Sequence, residues 1–197
     1  MNRPTLTAWR LLVLMMLFVA AALVISLAGC GLTASEPSLS TVTDPGGVFH
    51  FKAPEDWQKT VETGLIAVYA ADELPESGSL ESLSLLVLYG TTEDTQTPVE
   101  DKVLDIVELR AGSRGWGDYT VGEPEPVDVG SKTGTRVEVS GSDADGNAFE
   151  GAYHLVRTGT TEVLIIAVTP EGQWSEDQAS VDSIFEQWFW LRPEATE

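Results

Sequence analysis

The sequence predicts an α+β domain, a central antiparallel sheet of about six strands covered by two main helices. Three observations carry that reading. From Val48 onward, short apolar runs of strand length alternate with turn residues. Two segments, one opening at Pro98 and one at Ser175, switch to apolar spacings of three and four. The order is three strands, a helix, about four strands and a second helix, an α+β layout in which two helices cover an antiparallel sheet. With 197 residues the length allows one domain or at most two small ones, and 43% hydrophobic residues with 6 Trp supply a core and argue against whole-chain disorder.

The first strand is Val48-Phe49-His50-Phe51, stopped by Pro54 and a turn at Glu55-Asp56, with Trp57 just beyond. Gly64–Ala70 is the second, and Leu83–Tyr89 is apolar enough to be central. Thr97-Pro98-Val99-Glu100 reads as a helix start with Thr97 as N-cap, Pro98 at the first helical position and Glu100 closing a capping box. Val99, Val103, Ile106 and Val107 supply the apolar stripe, and Gly112 is the expected stop. A loop follows, with a short strand at Tyr119–Val121. Pro126–Val129, Gly134–Ser140, Phe149–Arg157 and Glu162–Thr169 are the remaining strands. Asp145-Gly146 marks the hairpin between the middle pair. The last helix begins at Ser175 and ends before Pro193, with Val181, Ile184, Phe185, Trp188 and Phe189 on its buried stripe. Two positions apart on that helix, Trp188 and Trp190 fall on different faces, so Trp190 projects away from the stripe.

The N-terminus has a different composition. Residues 1–10 carry Arg3 and Arg10 and no acid, and 11–25 are wholly apolar. That is the n-region and h-region of a signal peptide, although the run is long enough that an uncleaved anchor is the competing reading. The ending decides: Leu27-Ala28-Gly29-Cys30 resembles the bacterial lipobox, cut between Gly29 and Cys30, and Cys30 is the one cysteine of the chain. The resemblance implies an acylated Cys30 and a domain held on the outward-facing side of a membrane. Residues 1–29 are then signal peptide, 30–47 a lipidated flexible tether rich in Ser, Thr, Gly and Pro, 48–192 the domain, and 193–197 a tail.

Charge narrows the partners. Against 31 Asp+Glu stand 11 Lys+Arg, a net charge of -20; losing Arg3 and Arg10 leaves 9 bases and a side-chain charge of -22. A surface this acidic argues against nucleic acid (DNA or RNA) or anionic lipid as a partner held by charge, since those interactions are driven by Lys and Arg neutralising phosphates. A lone cysteine excludes an intramolecular disulfide and a multi-thiolate zinc site.

The opening strand running into Pro54 and Trp57, the helix Pro98–Ala111, the strand pair Gly134–Gly141 and Phe149–Val156, the apolar strand Val163–Val168 and the closing helix around Ile184 and Phe185 follow one another in an informative order. In that order the chain resembles the PsbP/Mog1-like (LpqN/PsbP-related) family across about 48–192. The resemblance implies a single αβα sandwich, no shared catalytic constellation and a binding or assembly role.

Candidate chemistry is sparse. His50 and His154, the only histidines, both fall in strands, where structural roles predominate, and no G-x-S-x-G elbow is present. Asp143, Asp145 and Asn147 match the opening of a calcium loop, but Gly146 is at position 4 and His154 stands at position 12, so an acidic hairpin turn is the better reading and a weak cation site the lesser one. Gly115-Trp116-Gly117 permits an exposed Trp116 as a binding anchor or a ring that plugs the end of the core; Tyr119 and Trp190 complete the binding-surface candidates. No catalytic residue, metal site or cofactor is expected. The functional expectation is a membrane-anchored, non-enzymatic protein-binding or assembly lipoprotein, its partners the bilayer through acylated Cys30 and a protein in or on the membrane. A small-ligand or divalent-cation-binding lipoprotein is the alternative, and an extracytoplasmic hydrolase ranks below it.

Overall fold

The computed structural model describes residues 38–71, 73 and 80–191. The signal-peptide, lipobox and tail readings, with Gly29 and Cys30, lie outside them. Eleven strands and two helices are described: β1 (Leu39–Thr43), β2 (Phe49–Pro54), β3 (Gln58–Glu62), β4 (Leu65–Tyr69), β5 (Ser84–Thr91), α1 (Val99–Arg114), β6 (Gly117–Val121), β7 (Glu125–Val129), β8 (Lys132–Ser142), β9 (Ala148–Thr158), β10 (Thr161–Pro170), α2 (Trp174–Glu186) and β11 (Trp188–Trp190). The large sheet runs β3-β4-β5-β10-β9-β8-β6, with β7 also paired to β8; the small one is β1-β2-β11. Every pairing is antiparallel. The fold is the expected α+β sandwich of two helices on a central antiparallel sheet, with a broader sheet and a second small one added.

The alternation of β10 shows how the layers are made. Val163, Ile165 and Ala167 enter one core, while Leu164, Ile166 and Val168 enter the other. A strand buried on both faces has to be apolar throughout, which is why Val163–Val168 reads as a continuous apolar run. On one side α1 lies over β8 and β9 and buries Val103, Val107 and Ala111. On the other, α2 sets Val181, Ile184 and Phe185 against the sheet, and the small sheet adds Phe49, Phe51 and Trp188.

Ion pairs pin α1 to the β9–β10 hairpin. Glu162 accepts from Lys102 at 2.8 Å and from Arg157 at 2.7 Å, and Arg157 also donates to the Thr97 carbonyl at 2.7 Å. These groups are mostly covered, so the pairing is screened less than a surface bridge would be.

Several expectations are corrected. Strand structure is already present before Val48: β1, in the segment read as tether, pairs with β2 from Leu39↔Pro54 to Thr43↔His50. Its one buried apolar residue is Val42, so β1 is held by its ladder and carries little hydrophobic signal. β3 follows Trp57 as an additional edge strand. Neither helix has a side-chain cap: α1 takes Pro98 and α2 takes Gln173 as N-cap, so the Thr97 and Ser175 capping boxes do not form. At α1 the Asp94 carboxylate takes the preceding Gln96 and Thr97 N–H groups instead, and bonding to Thr97 holds it below the usual carboxylate range. Gly112 lies inside α1, which stops at left-handed Gly115.

The largest correction is at the end of the chain. The last helix stops at Glu186, and Trp188-Phe189-Trp190 is a strand on β2. In a strand, residues two apart share a face, so Trp188 and Trp190 both turn inward and Phe189 turns out.

Candidate functional site

The expected anchor residues Trp116 and Tyr119 come together at the β6 edge. At the end of α1 the Gly115 and Trp116 N–H groups both reach the Ala111 carbonyl. Gly115, at φ 65°, reverses the chain so that Trp116 drops onto the end of the second core. There its ring lies 4.6 Å from Phe149 and 6.2 Å from Tyr153. Trp116 thus plugs the core, the blander of its two readings.

Tyr119 is the exposed partner. It stands edge-on to Trp116 at 5.9 Å and keeps 39% of its surface in solvent. A bulge between Gly117 and Thr120, with Asp118 at φ 44°, re-aims the strand at this point. Gly141 on β8 leaves the room: a Cβ there would sit 2.7 Å from the Tyr119 Cβ. The Thr120 and Ser140 hydroxyls, 2.7 Å apart, and Ser142 Oγ donating to the Gly117 carbonyl at 2.9 Å tie β6 to β8. Tyr119 therefore projects from a braced edge.

Beside it is an open concavity of about 590 Å³ lined by Thr120, Gly122, Glu138, Ser140, Glu150 and Trp174, among others. Glu138 approaches Arg136 only at 3.9 Å, and Glu150 forms no ion pair among the described residues. Sequence reasoning missed this feature because four separate elements assemble it.

Trp190 is not part of that site. It packs against the small-sheet core, and its indole N–H donates to the Val129 carbonyl at 2.8 Å. Phe189, 51% exposed and stacked on His50 at 5.0 Å, is the outward ring. The alternating Trp-Phe-Trp was the available signal.

The lesser cation-site reading of the hairpin loses its lead residue to the turn. Asp143 accepts from the Asp145 and Asn147 N–H groups at 2.9 and 2.8 Å and from Asn147 Nδ2 at 2.9 Å. The Asn147 side chain first, and then its backbone, holds that carboxyl below its ordinary range. Asp145 and Asn147 are exposed. Among the described residues no group of three or more His, Cys, Asp or Glu is placed to hold a metal ion.

Both histidines serve the fold. His154 is 1% exposed at the centre of β9, edge-on to Phe185 at 4.8 Å, with Nδ1 at 3.3 Å from the Ile165 carbonyl. Burial pushes its pKa down to about 3, so the ring is neutral. Neither imidazole is hydrogen-bonded to a serine or an acid among the described residues.

An antiparallel sheet between two helices defines an αβα sandwich. The solved structures similar to this chain agree on that fold. The cyanobacterial PsbP (CyanoP) of Synechocystis sp. PCC 6803 superposes with a TM-score of 0.58 at 14% identity, over 82% of this chain and 97% of that one. The Ran-binding protein Mog1p of Saccharomyces cerevisiae gives 0.56 at 14% identity over 79% and 97%. LpqN of Mycobacterium tuberculosis, described as involved in cell envelope biogenesis, gives 0.53 at 12% identity over 79% and 91%. No family model matches the sequence, and no curated protein does.

Proposed function

We propose that the protein is a membrane-anchored extracytoplasmic lipoprotein whose domain binds a protein partner and performs no catalysis. The observation that carries the binding role is Tyr119, exposed at a sheet edge and seated on Trp116, which is itself rooted on Phe149 and Tyr153. A large amphipathic ring on a rigid base loses little entropy on docking, as interface hot spots require. That a protein of the same fold is described as Ran-binding supports a binding role. The anchor rests on the signal-peptide pattern and on Cys30 at the end of Leu27-Ala28-Gly29-Cys30.

The test is crosslinking in the native membrane followed by affinity purification, comparing the natural protein with Tyr119→Ala and Cys30→Ala. Capture of one reproducible complex, lost in both variants, supports the reading. A complex retained by Tyr119→Ala removes this edge from the interface, and release of the protein from the membrane only in Cys30→Ala supports the anchor. Tyr119→Ala is expected to cost about 1 kcal/mol of folding stability, the loss of its edge-on contact with Trp116, which leaves the domain folded.

A further inference from the structure

The small sheet presents one face to the core and the other to solvent. Phe49, Phe51, Ala53, Val42 and Trp188 point inward. On the outer face Phe189 is 51% exposed, with Leu191 beside it at 43% and Leu39 at 37%. Three of the large apolar side chains that the described surface leaves exposed therefore belong to this sheet and its immediate continuation. The Leu191 N–H extends the pairing by one residue, donating to the Val48 carbonyl at 2.8 Å.

The other outward positions are Thr41 and Thr43 on β1 and His50, Lys52 and Pro54 on β2. None of them is acidic, in a chain with 31 Asp+Glu and 11 Lys+Arg. Acids resume past the strand ends: Asp44 after β1, buried with its carboxylate accepting from the Gly46 and Val48 N–H groups, Glu55 and Asp56 after β2, and Glu186 before β11. An apolar face with a lysine and no carboxylate is thus set into an otherwise acidic protein.

We propose that this outer face rests on the bilayer, with Phe189 and Leu191 in the headgroup and upper acyl zone and Lys52 among lipid phosphates. The inference rests on the lipid-anchor reading given above. Chain length supports that occupant: the segment from Cys30 to Leu39 spans at most roughly 30 Å even when fully extended, and Leu39 opens the edge strand of this sheet. Aromatic and aliphatic side chains are favoured at the membrane interface, where bound acyl chains make even weak insertion persistent. The rest of the surface is repelled by anionic lipid, so the face without carboxylates is the one that approaches with least cost.

The experiment uses the full-length acylated protein in vesicles of phosphatidylethanolamine and phosphatidylglycerol. A photoreactive benzoylphenylalanine replaces Phe189, Leu191 or, as a reference, Leu109, which is 73% exposed on α1. Flotation with the vesicles is read first, and lipid adducts after illumination second. The inference expects flotation of all three proteins, lipid adducts at 189 and 191, and none above background at 109. Flotation without adducts at 189 and 191, equal adducts at 109, or adducts joining two copies of the chain would overturn it while leaving the anchor intact. Failure of the acylated protein to float overturns the anchor reading, and this inference falls with it.

Discussion

Trp188 lies flat on Phe51, ring centroids 4.7 Å apart and planes 9° from parallel. The contact joins the final described strand to β2, and Phe49 stacks on the same indole at 4.6 Å. Trp188→Ala is expected to cost about 3–5 kcal/mol, the range for emptying a buried aromatic site. The buried indole N–H has no hydrogen-bond partner, so Trp188→Phe should cost less than half as much. Urea unfolding of the two variants checks this; equal losses would mean the stack is not what holds β11.

His154 makes stability depend on pH. Its folded pKa, about 3, lies below the ordinary 6.5, so the unfolded chain binds the extra proton. Stability from this group is fully present above pH 6.5 and falls as the pH drops toward 3. Between pH 6 and 5 the slope approaches about 1.4 kcal/mol per pH unit. Denaturation at pH 7, 6 and 5 should show that slope in the natural protein and lose most of it in His154→Leu. Most carboxylates titrate below this window.

Gly130 and Gly146 both have positive φ, 58° and 86°, yet only one has a neighbour at the missing side chain. A Cβ on Gly130 would meet the Trp188 carbonyl at 2.1 Å, whereas one on Gly146 would meet nothing within 4 Å. Gly146→Ala is expected to cost about 1 kcal/mol, the usual left-handed penalty, and Gly130→Ala distinctly more. Matching thermal shifts for the two would show that β11 yields freely to the added methyl.

Glu162 is the shared carboxylate of Lys102 and Arg157. Replacing it with Gln leaves both cations partly covered and uncompensated, at a cost of roughly 1–3 kcal/mol. The loss should be larger than for Glu125→Gln, whose pairing with Arg136 is exposed on the carboxylate side. A chemical-denaturation comparison of the two single variants decides it.

Much of this fold was legible wherever a segment's own side chains determine its state. β5 and β10 announce themselves because both faces are buried, and α1 because Val103 and Val107 repeat at helical spacing. Legibility failed where pairing decides. β1 is Leu-Ser-Thr-Val-Thr and becomes a strand because β2 offers it a ladder. Trp188 and Phe189 continue the apolar stripe of α2 closely enough to pass for another turn, until β2 pairs with residues 188–190 as a strand. At the site, glycines around Trp116 marked the right loop, and Tyr119 was found with it. Glu138, Glu150 and Trp174 meet only through tertiary structure, so no local pattern links them.

β11 completes a sheet whose other members are the first two strands, so the two ends of the domain are stitched into one element. A chain that emerges N-terminus first, from a ribosome or a secretion channel, must wait for β11 before that sheet can close. Phe49 and Phe51 remain without their Trp188 lid until then, so two large aromatic rings stay uncovered during synthesis and the arrival of β11 is the event that closes this core.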